Sequence, residues 1–555
     1  MRKIYTFVAA AILSMAIMPS ASAQVVNFGG VTFNNDIVGW GDLYNLSYTT
    51  HNYGTARSMA MGNAFTALGA DMASASINPA GIGMYINSDL SFTPMMQFVN
   101  SPTEGAEFNN SDSFSERSNR FGMASAGGIF TVYRGTGGLT NLNIGFAYNR
   151  IADFNQNYKF ASFGNKGTNS MANVFCTLSN VDGLLTDSDG RISFGNDPYY
   201  WGAVLAYKNG LTNKDDQGWY IDRIGVDAEI DQFTAVETRG SISEFAIPVG
   251  FNFMDIFYLG VTLGVQSVDY KHTVYYGENY NYPEGYPSGE EMPYQLTFMN
   301  YQQSTHISGS GLNLKVGMTV RPVKWLRLGV AYHTPTAYEL SLRYSADMWS
   351  ETFSAGNNPD GYDLDNYGYM SDYVESPEWE DSGDYGWEFN SPSRLMVGAA
   401  VTIAKRFILS ADYERSWYQK TRLVKSPITN LSYTSTIEEQ FRASNTLRVG
   451  AEFRVLPFAD IRAGYIYSDG GVKNENQIFT HPLTTRESYI TAGLGFKLGK
   501  MTYLDFAYQY NKRERTWYQS FYATDSFDPE LNIEAVPVRT NSYRHLAVLT
   551  LGFRF

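Results

Sequence analysis

The side chains able to do chemistry in this sequence do not gather into a catalytic pattern. Six histidines (His51, His272, His306, His333, His481 and His545) are scattered, and no two sit at the His-x-x-x-His spacing that puts two imidazoles on one helix face for a metal. There is no Gly-x-Ser-x-Gly turn to expose a nucleophilic serine. A hydrolase built on a barrel rim would need a serine, a histidine and an acid together; His306 and His333 fall on strand-like runs, but nothing ties a serine and an acid to either. The single Cys176 can form neither an internal disulfide nor a cysteine-based metal cluster. An enzyme is not expected, nor a cofactor or a bound metal. The remaining chemistry is that of charge and rings. Arg327, Arg394, Arg448, Glu452, Arg454, Arg462 and Asp505 fall on the polar phase of alternating runs. Such residues can pair across an enclosed interior, or an arginine fork can meet a ligand carboxylate. Phe175, Tyr199, Tyr200 and Trp201 lie in a long insert, where they could line an apolar groove or hold the insert together. Residues 346–393 carry no Lys or Arg, and eleven Asp or Glu run from Glu351 through Glu388. This stretch could bind divalent cations at a lipopolysaccharide surface or be a solvated acidic loop.

The elements that position these residues read as strands. Leu447, Val449, Ala451, Phe453 and Val455 share one face, and Arg448, Gly450, Glu452 and Arg454 share the other. The same rhythm predicts strands near 88–99, 121–134, 139–153, 237–254, 256–277, 297–321, 324–345, 386–404, 406–424, 433–456, 459–469, 486–499, 502–517 and 540–555. Tight turns at 134–138, 254–256, 321–324, 404–406, 456–460 and 498–501 alternate with long polar loops. Short turns on one side and long loops on the other are expected of an all-β transmembrane barrel of about fourteen antiparallel strands, and a soluble sandwich has no reason to keep that asymmetry. The last strand ends on the aromatic Phe555, which resembles the signal read by the outer-membrane barrel assembly machinery. Two stretches depart from the rhythm. Residues 154–236, the second outer loop, exceed a plain loop, with short helices expected at Asn169–Leu178 and Tyr199–Tyr207. Residues 54–86 are dense in Ala, Gly, Ser and Met.

Composition agrees with a barrel. The mean hydropathy is −0.27, yet aromatics make up 15% of the chain, with 41 Tyr and 51 Gly. Strands with one lipid face and one polar face average out in this way. No later run of apolar residues reaches the ~18 of a membrane helix. The formal net charge of −14 argues against nucleic acid as a partner. Arg2 and Lys3, the apolar run Tyr5–Met18 and Ala21-Ser22-Ala23 read as a signal peptide over 1–23, with the mature chain starting at Gln24. Both mature ends are then expected in the periplasm, and outer-membrane lipid and lipopolysaccharide are the expected surroundings of a monomer.

The small-residue segment has too few large side chains to build a core of its own, so it should be ordered inside the lumen. Its residues Arg57, Met61-Gly62, Ala64-Phe65-Thr66-Ala67, Asp71 and Asn78-Pro79-Ala80-Gly81 resemble the N-terminal hatch of the FadL family of outer-membrane transporters, the long-chain fatty acid and toluene/xylene transport family. Leu326–Thr336, Ser391-Pro-Ser-Arg394, Leu447-Arg-Val-Gly450 and Ile461–Tyr465 extend the resemblance across the mature chain. It implies a fourteen-stranded barrel (88–555) plugged by residues 24–87. About thirty residues (Gln24–Tyr53) precede the hatch motif, more than the family's better-known members lead one to expect.

The resemblance also implies a mechanism: capture of a hydrophobic small molecule among the outer loops, passage to an inner site, a shift of the hatch, and lateral exit where the third strand kinks. In this chain the kink is expected where alternation ends, at Asp153, Phe154 and Asn155. Arg57 is expected to anchor the hatch to the wall. Some barrels of this build serve instead as shuttles or anchors in protein secretion of the type IX kind. A haem-compound or siderophore receptor is weaker, because the sequence shows no sign of a large energy-coupled plug domain.

Overall fold

The computed structural model describes residues 27–555 except 29–30, 34–39, 49–51, 106–110, 113, 185–190, 195–197, 225–227, 284–294, 354–366, 376–386, 426–436, 439, 474–484 and 526–531. The proposed signal peptide and much of the acidic stretch lie outside the described residues.

Fourteen antiparallel strands close into one barrel. They are β1 (Asp89–Gly105), β2 (Ser115–Arg134), β3 (Leu139–Asp153, continued by Gln156–Lys166), β4 (Glu229–Phe253), β5 (Phe257–Asn281) and β6 (Gln295–Val323). Then follow β7 (Leu326–His333 and Ala337–Phe353), β8 (Trp387–Asn390 and Arg394–Ile403), β9 (Phe407–Trp417 and Arg422–Lys425) and β10 (Ala443–Leu456). The ring ends with β11 (Ala459–Ser468), β12 (Glu487–Lys497), β13 (Thr502–Tyr518) and β14 (Val538–Arg554), which closes on β1 with Arg554 opposite Asp89. Closure leaves no sheet edge around most of the ring, as a lipid surrounding demands. The turns at Met254–Asp255 and Ala404–Lys405 have positive φ at both residues, the geometry that suits a two-residue hairpin between right-twisted strands.

Alternation sorts the two faces. In β10, Arg448, Gly450 and Glu452 are buried while Leu447, Phe453 and Val455 are exposed. Around the ring Phe146, Phe245, Leu263, Leu314, Leu409 and Leu494 likewise face outward, giving an apolar band for lipid. Among the described residues no helix is long and apolar enough to cross a membrane; the strands make the crossing.

Two expectations about the second loop change. Strand β3 resumes at Gln156 and β4 begins at Glu229, so the segment between strands shrinks to 167–228. Both additions pair with each other, Glu229 opposite Lys166 and Thr238 opposite Gln156. Their alternation was hidden by polar residues on both phases. Inside the segment, helices α3 (Met171–Asp182) and α4 (Trp201–Lys208) form close to the expected places. Ser170 starts α3 through a capping box with Asn173.

The N-terminal residues run through the barrel. Helices α1 (Trp40–Leu46) and α2 (Ala56–Ala60) and the 3-10 turns Met72–Ala75 and Pro79–Met84 contain mostly buried residues. Helix α2 touches β11 to β14, whereas Pro79–Met84 touches β3 to β6, so the segment lies between opposite walls. Farther up, Asn27–Phe28 and Val31–Phe33 join a four-stranded sheet with Tyr522–Asp525 and Ile533–Glu534, from the loop between β13 and β14. Phe555 pairs with Ser88 at the short-turn end. Among the described residues, Asn27–Phe28 and Val31–Phe33 thus lie with the loop between β13 and β14, while Phe555 lies at the short-turn end.

Candidate functional site

The lower lumen is built from small residues and paired charges. Asn78 stands at the start of the turn Pro79–Met84, where Pro79 fits because its missing N–H needs no partner. Asn78 Oδ1 accepts from the Ala80 N–H (3.1 Å), while Nδ2 donates to the Thr66 carbonyl (2.5 Å) and to Thr319 Oγ1 on β6 (3.3 Å). Asp71 accepts from the Ala73 N–H (3.0 Å) and from Thr55 Oγ1 (2.7 Å). Phe65 packs with Met61 in an apolar knot against β7 and β8. The wall meets this segment with glycines. A methyl group added at Gly260, Gly317, Gly329, Gly450 or Gly464 would collide with Pro79, Asn78, Thr66, Met61 or Gly62. Ala80 and Gly81 are equally enclosed. Glycines on the inward phase of strands were the one available signal for this seat, and Gly450 between Arg448 and Glu452 shows it.

Charges lock the segment in place. Arg57 Nε meets Glu452 Oε2 at 3.0 Å, and Arg462 bridges Glu452 (2.7 Å) and Asp505 (2.5 Å). Arg448 and Arg394 share Glu414, at 2.9 and 3.5 Å. The Arg394 Nε–H donates to His333 Nδ1 (3.0 Å), so His333 carries its proton on Nε2 and donates to the Ile77 carbonyl (2.9 Å). Arg327 donates to the Leu68 carbonyl (2.6 Å), and Asp412 accepts from the Thr66 N–H (2.7 Å). Arg454 stands apart at the short-turn rim, paired with Asp460 at 3.1 Å. No pattern in the sequence singled out Lys315 on β6 and Glu244 on β4, which form a buried pair in which Glu244 also accepts from Ser76.

The long-loop end is built the other way, from large apolar rings. Phe175, Tyr199 and Trp201 are 2–5% exposed and belong to one cluster with α1 and the upper ends of β5 to β9. Phe175 meets Tyr301 edge to face at 5.6 Å, Trp201 lies 5.7 Å from Tyr344, and Tyr199 lies 5.1 Å from Tyr200. The four rings are thus together, but they fill the mouth as packing in this conformation. Tyr44 of α1 stacks on Tyr418 at 5.1 Å. In the acidic stretch, Asp372 pairs with Lys208 (3.4 Å) and Glu375 with Arg343 (3.8 Å). No group of three or more potential metal ligands occurs among the described residues.

Between these two zones β3 breaks. Phe154 and Asn155 interrupt it after Asp153, opposite Gly240 (φ 110°) and next to a bulge at Ile242/Ser243. Pairing of β2 with β3 stops at Ser125 opposite Asn149. Among the described residues β3 next finds a partner on this side in the short strand Ser111–Asp112, which precedes β2 and lies opposite Ala161–Ser162. In between, Asn119, Arg120 and Phe121 are all exposed, the loss of alternation that an unpaired edge produces. Beyond the break β3 turns inward: Tyr158 and Phe160 pack on Tyr518 of β13, and Thr103 Oγ1 of β1 donates to the Lys159 carbonyl (2.7 Å). Gln97 of β1 and Arg544 of β14 hold Asp153, at 3.2 and 2.7 Å. Across the gap reach Arg150, donating to the Met123 carbonyl (3.2 Å), and Arg120, donating to Asn155.

This geometry defines a closed outer-membrane-type barrel whose lumen holds its own N-terminal segment and whose backbone pairing is interrupted at one strand. A family model described as "Outer membrane protein transport protein (OMPP1/FadL/TodX)" matches residues 185–555, and the chain belongs to that family. The solved structure of a Pseudomonas aeruginosa FadL homologue is similar, with 13% identity, a TM-score of 0.50, and 91% of this chain and 98% of that chain covered. The P. putida toluene transporter TodX gives 11% identity and a TM-score of 0.49 over 92% of this chain and 99% of that one. No curated protein sequence matches.

Proposed function

We propose that this barrel is a passive channel for hydrophobic small molecules across the outer membrane, with a lateral exit between β2 and β3. The observation that carries this reading is the break at Phe154–Asn155. The axial path is filled by residues 52–86, which pack on both walls, while the side wall loses its backbone pairing for one stretch. An unpaired strand edge in a barrel is costly unless it lines a path or a cavity. An apolar solute leaving there enters lipid without crossing the aqueous space below, and its own gradient drives it. Residues 54–86 act as the hatch, and movement of their ion-paired seat opens the way from the mouth. The alternative of a sealed barrel serving protein secretion gives no role to the gap. The test is uptake of labelled oleate and toluene by a deletion strain carrying the gene or an empty vector. Uptake at least ~10-fold above background is expected, and rates equal to background for both would remove the transport reading.

A further inference from the structure

Beside the β3 break lies a cavity of about 70 Å³, between that break, Gln97 of β1, the upper parts of β12 to β14 and residues Tyr48, Asn52 and Tyr53. All of its lining residues except Ala152, Phe154 and Leu546 carry a polar side chain. Ligand pockets are mostly apolar, with a few polar groups that orient the ligand. A path for plain hydrocarbons would have no use for that many hydrogen-bonding groups.

Two lining amides fix what the cavity lacks. Asn52 and Gln97 are 3% and 2% exposed. Asn52 Nδ2 donates to the hydroxyls of Tyr48 (2.7 Å) and Tyr489 (2.8 Å). Each hydroxyl donates its own proton to Glu487 Oε2, at 3.2 and 2.5 Å, so each can only accept from Asn52. Gln97 Nε2 donates to Asp153 Oδ1 at 3.2 Å, a carboxylate oxygen that only accepts. Flipping either amide would set oxygen against an acceptor. The atoms left over are therefore Asn52 Oδ1 and Gln97 Oε1, and both are buried without a hydrogen-bond partner among the described residues. Gln509 Oε1, on the same cavity, is a third. Of the charges at the cavity, Glu487 pairs with Arg513 at 2.6 Å and Asp153 with Arg150 at 3.5 Å, while Arg544 donates to the Asp153 carbonyl at 2.7 Å; the oxygens left bare are all acceptors. The site wants hydrogen-bond donors, not another negative charge.

We propose that this cavity binds the hydroxyl head of a neutral amphiphile, an alcohol or phenol whose apolar tail lies toward the gap between β2 and β3. The inference rests on the channel reading and narrows its substrate class, setting hydroxylated lipophiles above both fatty carboxylates and unsubstituted hydrocarbons. One buried hydrogen bond is worth about 1 kcal/mol or slightly more, so the discrimination per oxygen is about tenfold.

The test uses the full chain, purified and held in amphipol, with labelled decan-1-ol, decanoate and decane as probes of equal tail. Decan-1-ol should bind at least ~10-fold more tightly than either of the others. Of the near-isosteric variants Asn52→Leu and Gln97→Met, the one whose oxygen takes the single O–H proton should lose about tenfold for the alcohol and nothing for decane. Heat-modified migration on gels reports whether each variant has a folded barrel, and the head-group series on the unaltered protein stands without any variant. Equal binding of the three probes overturns the proposal. So does alcohol binding unchanged in both folded variants, which would mean that the cavity holds water only. Uptake by cells separates the two readings. Decan-1-ol and decane entering equally fast, but above background, would sink the hydroxyl preference and leave the channel standing. Neither entering above background, with hydroxyl-selective binding retained, would sink the channel alone.

Discussion

The two halves of the lumen solve the problem of filling a barrel by opposite means. Near the short turns, glycines of the wall press on Met61, Gly62, Thr66, Asn78 and Pro79, and the remaining polarity is absorbed by ion pairs around Glu452 and Glu414. Near the long loops, Phe175, Trp201, Tyr301, Tyr344 and Tyr418 form a cluster of rings around α1. A paired charge is worth much while its partner is present and costs much when it is removed. A seat made of such pairs is held by a few discrete contacts, and it can let go as a unit. Ring packing is graded, at roughly 1.5–3 kcal/mol per large buried apolar side chain, and it suits a mouth that must hold its shape outside the membrane.

The sharpest way to break the contrast is Glu452→Ala. It leaves Arg57 and Arg462 facing each other without their shared carboxylate, at an expected cost of about 3–5 kcal/mol. Residues 54–86 should loosen, and the conductance of the barrel in planar bilayers should rise. Unchanged conductance would mean that the seat does not depend on its charges. Next comes Trp201→Ala, expected to cost roughly 3 kcal/mol of local stability. Hydrogen exchange in α3 and α4 should quicken, with conductance and barrel migration on gels unaltered. If conductance rises as well, the mouth and the seat are one cooperative unit.

Gly450→Val tests the close approach alone. It keeps every ion pair but drives a side chain into Met61, for about 1–3 kcal/mol of overpacking. Conductance should rise less than for Glu452→Ala. The smallest effect belongs to pH. Burial pushes the Asp222 carboxyl of the second loop up to about 6, against its hydrogen bonds from Ile224 and Asn173, whereas an unfolded Asp titrates near ~3.9. The folded loop therefore holds the proton more tightly. This contribution is fully present below pH ~4 and is lost as pH rises through about 6. Protection of α3 against hydrogen exchange should fall across that window, and Asp222→Asn should flatten the response.

Much of the molecule was legible in the sequence because barrel strands declare themselves locally. Side chains alternate, so Leu447–Val455 shows its lipid and lumen faces without any neighbour, and alternation stops at Asp153, just before the interruption at Phe154 and Asn155. The small residues of 54–86 and the cap pattern of Asn78-Pro79 are equally local. The inward charges were readable as a set, but their pairing was not. Arg57 finds Glu452 across 395 residues of chain, and Arg454, on the same phase, goes to the rim instead. Pairing depends on the stagger between strands and on the height of each residue in the barrel, which no single strand encodes. For the same reason the sequence could not say that Phe175 and Trp201 meet each other's neighbours on β6 and β7. Nor could it say that residues before Tyr53 climb the lumen and pair with Tyr522–Asp525. Nor could it place Asn52 and Gln97 on one cavity, since they come together only when the ring closes around the inner segment. Periodicity determined which way each side chain points. Closure, stagger and the path of the N-terminal chain decided what each one meets.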